Sequence, residues 1–527
     1  MYQAEAIVGL FVVVAVLVLI ARKLGLPYPI VLVLAGLALS FVPHLPQVTL
    51  KPELVFYFLL PPLIYPAALF TSWRDFRRNI RPILLLSTGL ILATTILVAW
   101  ALHTVVPAIP WAAAFAFGAI VSPTDAVAAT AVIRRLGLPH RIEVIVEGES
   151  LVNDATGLVA LQFAVAALMT GRFSLGVAVG QFAWVALGGI AFGLAIGVLM
   201  RAIQRRLDDP PVQITFSLLT PFAAYLPAEQ LHVSGILAVV AAGIFLGWHS
   251  PLILRARYRL QSQAIWEMLV FLLNGFVFIS IGLQLPAILR ALHGESLRML
   301  IGHALLISAA TMLVRVGWVF TATYLPRFFF PPLRRWDPYP DWREVVIGAW
   351  SGMRGVISLA AAFALPFALP NGAPFPGRNY ILFFTFTVIL ATLVVQGLTL
   401  PLLARAIRVG RDTTPEEEER QARVEANKAA LQLLDQTESE QRIPSDVVDR
   451  LRAEYDERLA QLEACAESAD GRCGEIATPQ YQQLQYEALQ RERETIIRLR
   501  NAHVINDDAL RHIQRDLDLA EARLAGD

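Results

Sequence analysis

Charged side chains are scarce in this chain. They make up 17% of its 527 residues while 56% are hydrophobic. Ordinary soluble domains carry about 25% charge. The deficit is local. Residues 1 to about 408 are long apolar runs with short charged breaks, and the last ~115 are polar. So many apolar runs of about 20 residues, each able to cross ~30 Å of hydrocarbon, exclude a soluble globular protein over that stretch. Cysteine is almost missing: Cys465 and Cys473, both in the polar tail, are the only two. They exclude a disulfide framework, a cytoplasmic tail keeps them reduced, and no further ligands lie near enough in sequence for zinc. Net charge is nearly missing too, at +1, which points away from a nucleic-acid partner. The first apolar run, residues 6–20, has no basic residue before it and no small-x-small cleavage site, and Arg22 and Lys23 follow it. It reads as a retained first span rather than a secretory signal.

About 13 apolar segments of spanning length can be placed, at roughly 4–22, 28–43, 53–70, 82–103, 110–133, 142–170, 174–200, 211–227, 231–248, 264–289, 299–325, 344–370 and 379–404. The loops between them alternate in charge. One set carries about 22 basic residues, from Arg22 and Lys23 through Arg74, Arg77, Arg78 and Arg81 to Arg405, Arg408 and Arg411. The other carries about 5, namely Lys51, Arg172, Arg290, Arg298 and Arg378. The positive-inside rule puts the rich set in the cytoplasm, the N-terminus outside and the polar tail inside. The expected fold is an all-α polytopic membrane protein, with a membrane domain over 1–410 and a helical cytoplasmic domain over 411–527. Six spans, a linking span and six more place the second half inverted, a common transporter plan with its site at mid-membrane on interrupted helices. Spans 110–133 and 344–370 fit it. Each carries flexible or helix-breaking residues beside a charge, Ser122-Pro123-Thr124-Asp125 in one and Ser351-Gly352-Met353-Arg354-Gly355 in the other.

An ionisable group at the bilayer centre costs several kcal/mol unless paired or hydrated, so each is a functional candidate. Span 142–170 contains Glu147-Gly148-Glu149-Ser150-Leu151-Val152-Asn153-Asp154. Asp154 lies ~13 residues beyond Arg141, about 20 Å along a helix and near the midplane. Ser150 and Asp154 share one face, Glu149 and Asn153 another, and Glu147 points much as Asp154 does. Asp125 is at similar depth, where Pro123 frees backbone carbonyls. Carboxylates, a hydroxyl and carbonyls make a hard oxygen environment suited to a small hard cation and poor for a soft metal. The plain alternative is that these groups glue helices together. Arg315 reads as a structural ion pair or a carbonyl contact. Gly189, Gly193 and Gly197 allow close helix approach, at a dimer interface or within one subunit. His103, His232, His249 and His303, with Trp73, Trp111, Trp248 and Trp336, fall near span ends as interfacial residues do. Asn274 orients a polar neighbour or only packs. In the tail, Pro415-Glu416-Glu417-Glu418-Glu419 suits a helix start. Stretches 448–462 and 484–499 have helical spacing, and 468–478 reads as a loop.

The segments Phe117-Gly118-Ala119-Ile120-Val121-Ser122-Pro123-Thr124-Asp125 and Glu147 to Ala155 closely resemble the cation/proton antiporter-1 family of sodium/proton exchangers. So do Trp350-Ser351-Gly352-Met353-Arg354-Gly355 and the run from Leu272 to Gly282. The likeness covers about residues 5–408, and the tail near Val504-Ile505-Asn506-Asp507 resembles the bacterial branch. The resemblance implies 13 spans, a dimerisation half and a moving core, and crossed broken helices. It implies a homodimer in the inner (plasma) membrane that needs no cofactor and is not an enzyme. Asp154 would be the shared Na+ and H+ carboxylate, with Thr124, Asp125 and Ser150 completing the Na+ site. Asn153, counted with them among the cation- and proton-binding residues, stands where electrogenic relatives carry a second Asp, implying electroneutral exchange. Glu149 would pair with Arg354. One carboxylate that binds either a proton or a cation couples the two fluxes, because the bare anion is too costly to move. The rival readings are a potassium/proton antiporter, an intramembrane aspartyl protease using Asp125 and Asp154 as a dyad, and a cation channel.

Overall fold

A computed structural model describes residues 2–42, 51–171, 174–253, 256–292, 296–370, 372–410, 414–439, 444–467, 479–502, 513–514 and 517–521. Arg172, Arg255, Arg411, Cys473, the 468–478 loop and residues 504–507 lie outside the described residues, as do the side chains of Trp336 and Cys465. The chain divides into two compact units, Met1–Arg411 and Asp412–Asp527.

Most described residues of the first unit are helical; the others form turns and irregular breaks, with one isolated pairing of Ala368 with Pro374. In hydrocarbon only a helix or closed barrel satisfies its own backbone, and runs this apolar settle as helices. They are α1 (Tyr2–Leu24), α2 (Tyr28–Leu39), α3 (Pro52–Phe70), α4 (Ile80–Val105), α5 (Trp111–Val121), α6 (Ala126–Leu136), α7 (His140–Thr170), α8 (Leu175–Gln204), α9 (Pro210–Gln230), α10 (Gly235–Ile253), α11 (Ala256–Leu283), α12 (Leu297–Phe329), α13 (Trp342–Trp350), α14 (Val356–Phe363) and α15 (Arg378–Ala406). Among the described residues eight helices are individually long and apolar enough to cross a membrane, and α2 and most of α10 are shorter apolar helices. The weakly apolar segment 211–227 is one continuous helix, α9, although it contains Pro221 and Pro227.

The segment expected at 344–370 departs from a simple span. Its helix stops at Phe363, and the residues beyond are irregular. Pro366 and Pro370 supply no backbone donors there. Arg378 takes over the orphaned helix end, its Nε donating to the Leu365 carbonyl at 3.1 Å and Nη2 to that of Phe363 at 3.1 Å. The glycine repeat on α8 serves packing within the subunit. A Cβ on Gly189 would meet the Ser234 backbone at the start of α10, and one on Gly193 the backbone of Ala238.

On the face bearing the arginine-rich loops, the interhelical residue Asp337 pairs with Arg81, with Arg327 at 2.7 Å and more distantly with Arg141 at 3.8 Å. Partial burial pushes the Asp337 carboxyl upward, but Arg327 and Arg81 outweigh this and hold it below the usual carboxylate range.

The second unit contains α16 (Thr414–Ser439), α17 (Ser445–Glu467) and α18 (Pro479–Asn501). Arg452 of α17 reaches Asp435 at 2.6 Å and Glu438 at 2.8 Å on α16.

Candidate functional site at two crossed helix breaks

The 122–125 segment between α5 and α6 lies against the 351–355 segment between α13 and α14. The Asp125 N–H donates to the Met353 carbonyl at 2.8 Å, joining the two breaks through their backbones. Breaking a helix exposes carbonyls on one side and N–H groups on the other. Here both kinds are answered. Arg354 Nε donates to the Val121 carbonyl at the end of α5, at 3.1 Å. Arg315 Nη2, reaching in from α12, donates to the Gly348 carbonyl near the end of α13, at 3.0 Å. On the other side, Asp125 Oδ1 accepts from the Val127 N–H at 2.8 Å, and Ser150 Oγ accepts from the Ala126 N–H at 3.3 Å. Gly355, at the start of α14, lies so close to the Asp125 carboxylate that a Cβ has no room. Asp125 thus sits between the positive ends of α6 and α14, where an anion is favoured.

The neighbouring α7 divides its polar residues between two faces. Ser150 and Asp154 face a cavity of about 550 Å³ that Thr124, Asp125 and Asn274 also line. The cavity runs out to the exposed Arg134 and Glu267, on the arginine-rich side. Asp154 is 5% exposed, and its carboxylate has no hydrogen-bond or ion-pair partner among the described residues. Asp125 is close enough to repel it. Tyr28 lines the cavity together with Asn274. Tyr28 was not a sequence candidate, since a tyrosine near a span end reads as an interfacial anchor.

Glu149 and Asn153 occupy the other face. The ion pair expected between Glu149 and Arg354 is not formed; Arg315 takes Arg354's place. Arg315 grips Glu149 with both arms of its guanidinium, at 2.5 and 2.9 Å, and both side chains are buried. The cause is local. The carbonyls freed at the breaks draw Arg354 to Val121 and Gly352, leaving Glu149 to the planar fork from α12. Thr124 Oγ1 donates to Glu149 Oε1 at 2.8 Å, and Asn153 Nδ2 donates to Thr124 Oγ1 at 2.9 Å and its carbonyl at 3.1 Å. Asn153, a sequence candidate for cation binding, therefore faces this network, and Thr124 joins network and cavity. A mid-span arginine was the signal for Arg315, and the structure gives it both an ion pair and a carbonyl contact; the identity of its partner was not legible.

A helical bundle with a buried, unpartnered carboxylate beside two crossed helix breaks belongs to the class of membrane transporters built on interrupted helices. A family model described as "Sodium/hydrogen exchanger, transmembrane" matches residues 9–406. An uncharacterized Na(+)/H(+) exchanger of Mycobacterium tuberculosis (strain ATCC 25618 / H37Rv) is 36% identical over 98% of this chain and 96% of its own. A sodium, potassium, lithium and rubidium/H(+) antiporter of Bacillus subtilis (strain 168) is 38% identical over 72% of this chain and 58% of its own. The solved sodium proton antiporter MjNhaP1 of Methanocaldococcus jannaschii has the same fold, with a TM-score of 0.59, 21% identity, and coverage of 77% of this chain and 99% of that one. The chain belongs to the sodium/hydrogen exchanger family. It is a multi-pass membrane antiporter, not an enzyme, and requires no cofactor for its transport.

Proposed function

We propose that the chain exchanges Na+, and Li+ as a close mimic, for H+ one for one, by competition at Asp154. The observation that carries this is the unpartnered Asp154 carboxylate, buried yet lining a cavity that reaches the arginine-rich face. A carboxylate in that position is stable only when something neutralises it, and a proton and a cation are alternatives. Thr124, Asp125 and Ser150 line the same cavity and supply oxygen ligands. Asp125 is balanced by two helix N-termini and Asn153 is a neutral amide, so one carboxylate is left to change its load per cycle. That supports electroneutral exchange.

The protein works as a 13-span homodimer in the plasma membrane by alternating access. The arginine-rich loops and the tail are cytoplasmic. A broader alkali-cation range, including K+, is the second reading, favoured by the likeness to the Bacillus subtilis sodium, potassium, lithium and rubidium/H(+) antiporter. Purified protein in liposomes with an entrapped pH dye, given Na+, Li+ and K+ separately, tests both. Asp154→Asn protein should give no cation-driven pH change while eluting as the wild type does on size exclusion. Sustained exchange by that variant refutes the assignment. Current through the wild type without an opposing proton flux would make it a channel.

A further inference from the structure

A second cavity, of about 540 Å³, lies on the opposite side of α7 from the carboxylates. Its walls are Val152 and Val159 of α7 on one side, and Ile190 of α8 and Val240 of α10 on the other. Along α10 it extends from Leu237 to Trp248, about 16 Å at 1.5 Å per residue, or roughly one leaflet of hydrocarbon. The few hydroxyls on its walls are largely spent on their own helices. Thr156 donates to the Val152 carbonyl at 3.4 Å, and Ser234 accepts from the Leu237 N–H at 3.2 Å. Water has too few partners to fill such a space. Ile190, Trp73 and Trp248 are exposed at its edge, so the slot is open sideways to the surrounding bilayer.

One end is marked chemically. Trp73 and Phe76 stack with ring centroids 6.0 Å apart at the mouth, and Trp248 stands there too. The short helix Trp73–Arg78 continues into Arg77 and Arg78, both exposed and neither engaged in an ion pair among the described residues. Its one acid, Asp75, lies 3.7 Å from His140. Indole rings at headgroup depth beside free guanidinium groups suit a lipid phosphate.

We infer that this slot holds one acyl chain of an anionic glycerophospholipid from the leaflet on the arginine-rich side, with its phosphate at Arg77 and Arg78. The chain lies against the back of the helix that carries Asp154, between α4 and α7 on one wall and α8 and α10 on the other. Any displacement of α7 past α10 must slide over it, so its occupancy sets the exchange rate. This proposal concerns a site separate from Asp154, and its first readout is bound lipid rather than transport.

The full-length protein, stripped of lipid in detergent and titrated with phosphatidylglycerol or phosphatidylcholine, is measured by native mass spectrometry. One tightly retained phosphatidylglycerol is expected, held at least tenfold better than phosphatidylcholine. Arg77→Gln with Arg78→Gln should abolish that preference while still admitting a lipid chain. Ala241→Trp, which fills the slot, should abolish retention of either lipid. Ala186→Trp, on α8 of the same wall, serves as a second filler in case the first misfolds. Retention and headgroup preference unchanged in all these variants, or no retained lipid in the wild type, overturns the proposal. In liposomes, the wild type should exchange several-fold differently with and without phosphatidylglycerol, and the slot-filled variants should lose that dependence. Equal dependence in filled and unfilled protein also overturns it. Failure of exchange in every lipid, with retention intact, would instead count against the transport reading.

Discussion

At residue scale the site depends on where single atoms have no alternative. Gly355 is the sharpest case, because its missing side chain leaves the space that the Asp125 carboxylate occupies. Gly355→Ala must push that carboxylate away from the start of α14. The expected outcome is a rise of about tenfold in the apparent KM for Na+, equivalent to about 1.4 kcal/mol of lost cation binding. Thermal stability in detergent should change less, and the two are separated by transport kinetics and a melting curve on the same sample. Asp154→Glu keeps the charge but moves it one methylene further into the cavity. It should retain partial exchange with a displaced pH profile, measured by dye response in liposomes across external pH.

At element scale the two broken helices are held by arginines set on other parts of the chain. Arg315→Gln leaves Glu149 charged and buried without its fork, a loss of about 3–5 kcal/mol. The double variant Glu149→Gln with Arg315→Gln removes the stranded charge and should recover much of that loss. Denaturation of both variants in one detergent measures the difference, and equal destabilisation would mean the pair is no unit. The breaks themselves were legible in the sequence, because Pro123 and the glycines around Arg354 are local signals. The division of α7 into two polar faces was legible from four-residue spacing alone: Ser150 with Asp154, and Glu149 with Asn153. The Glu149 partner was not, since Arg315 lies 166 residues away and no local pattern encodes which of two buried arginines arrives first. The end of α14 was misjudged because apolar residues continue past Phe363, while Pro366 and Pro370 withhold the donors a helix needs.

At the scale of the whole molecule, charge at the arginine-rich face ties distant helices together. Asp337 joins Arg81 of α4 to Arg327 of α12, and its carboxyl is held below its ordinary value. A lowered carboxyl stabilises the fold above the unfolded-state value of about 4, and that contribution disappears as pH falls through the folded-state value. Melting temperature should therefore drop on acidification below about pH 4 more steeply for wild type than for Asp337→Asn. Parallel curves would remove Asp337 from the account. A larger consequence follows from the backbone bond between Asp125 and Met353. It acts as a rivet: whatever travels during the cycle takes both interrupted helices along in one stroke. Spin labels placed on α6 and α14 should keep a single separation whether Na+ is saturating or absent, while a pair spanning α7 and α10 should report two.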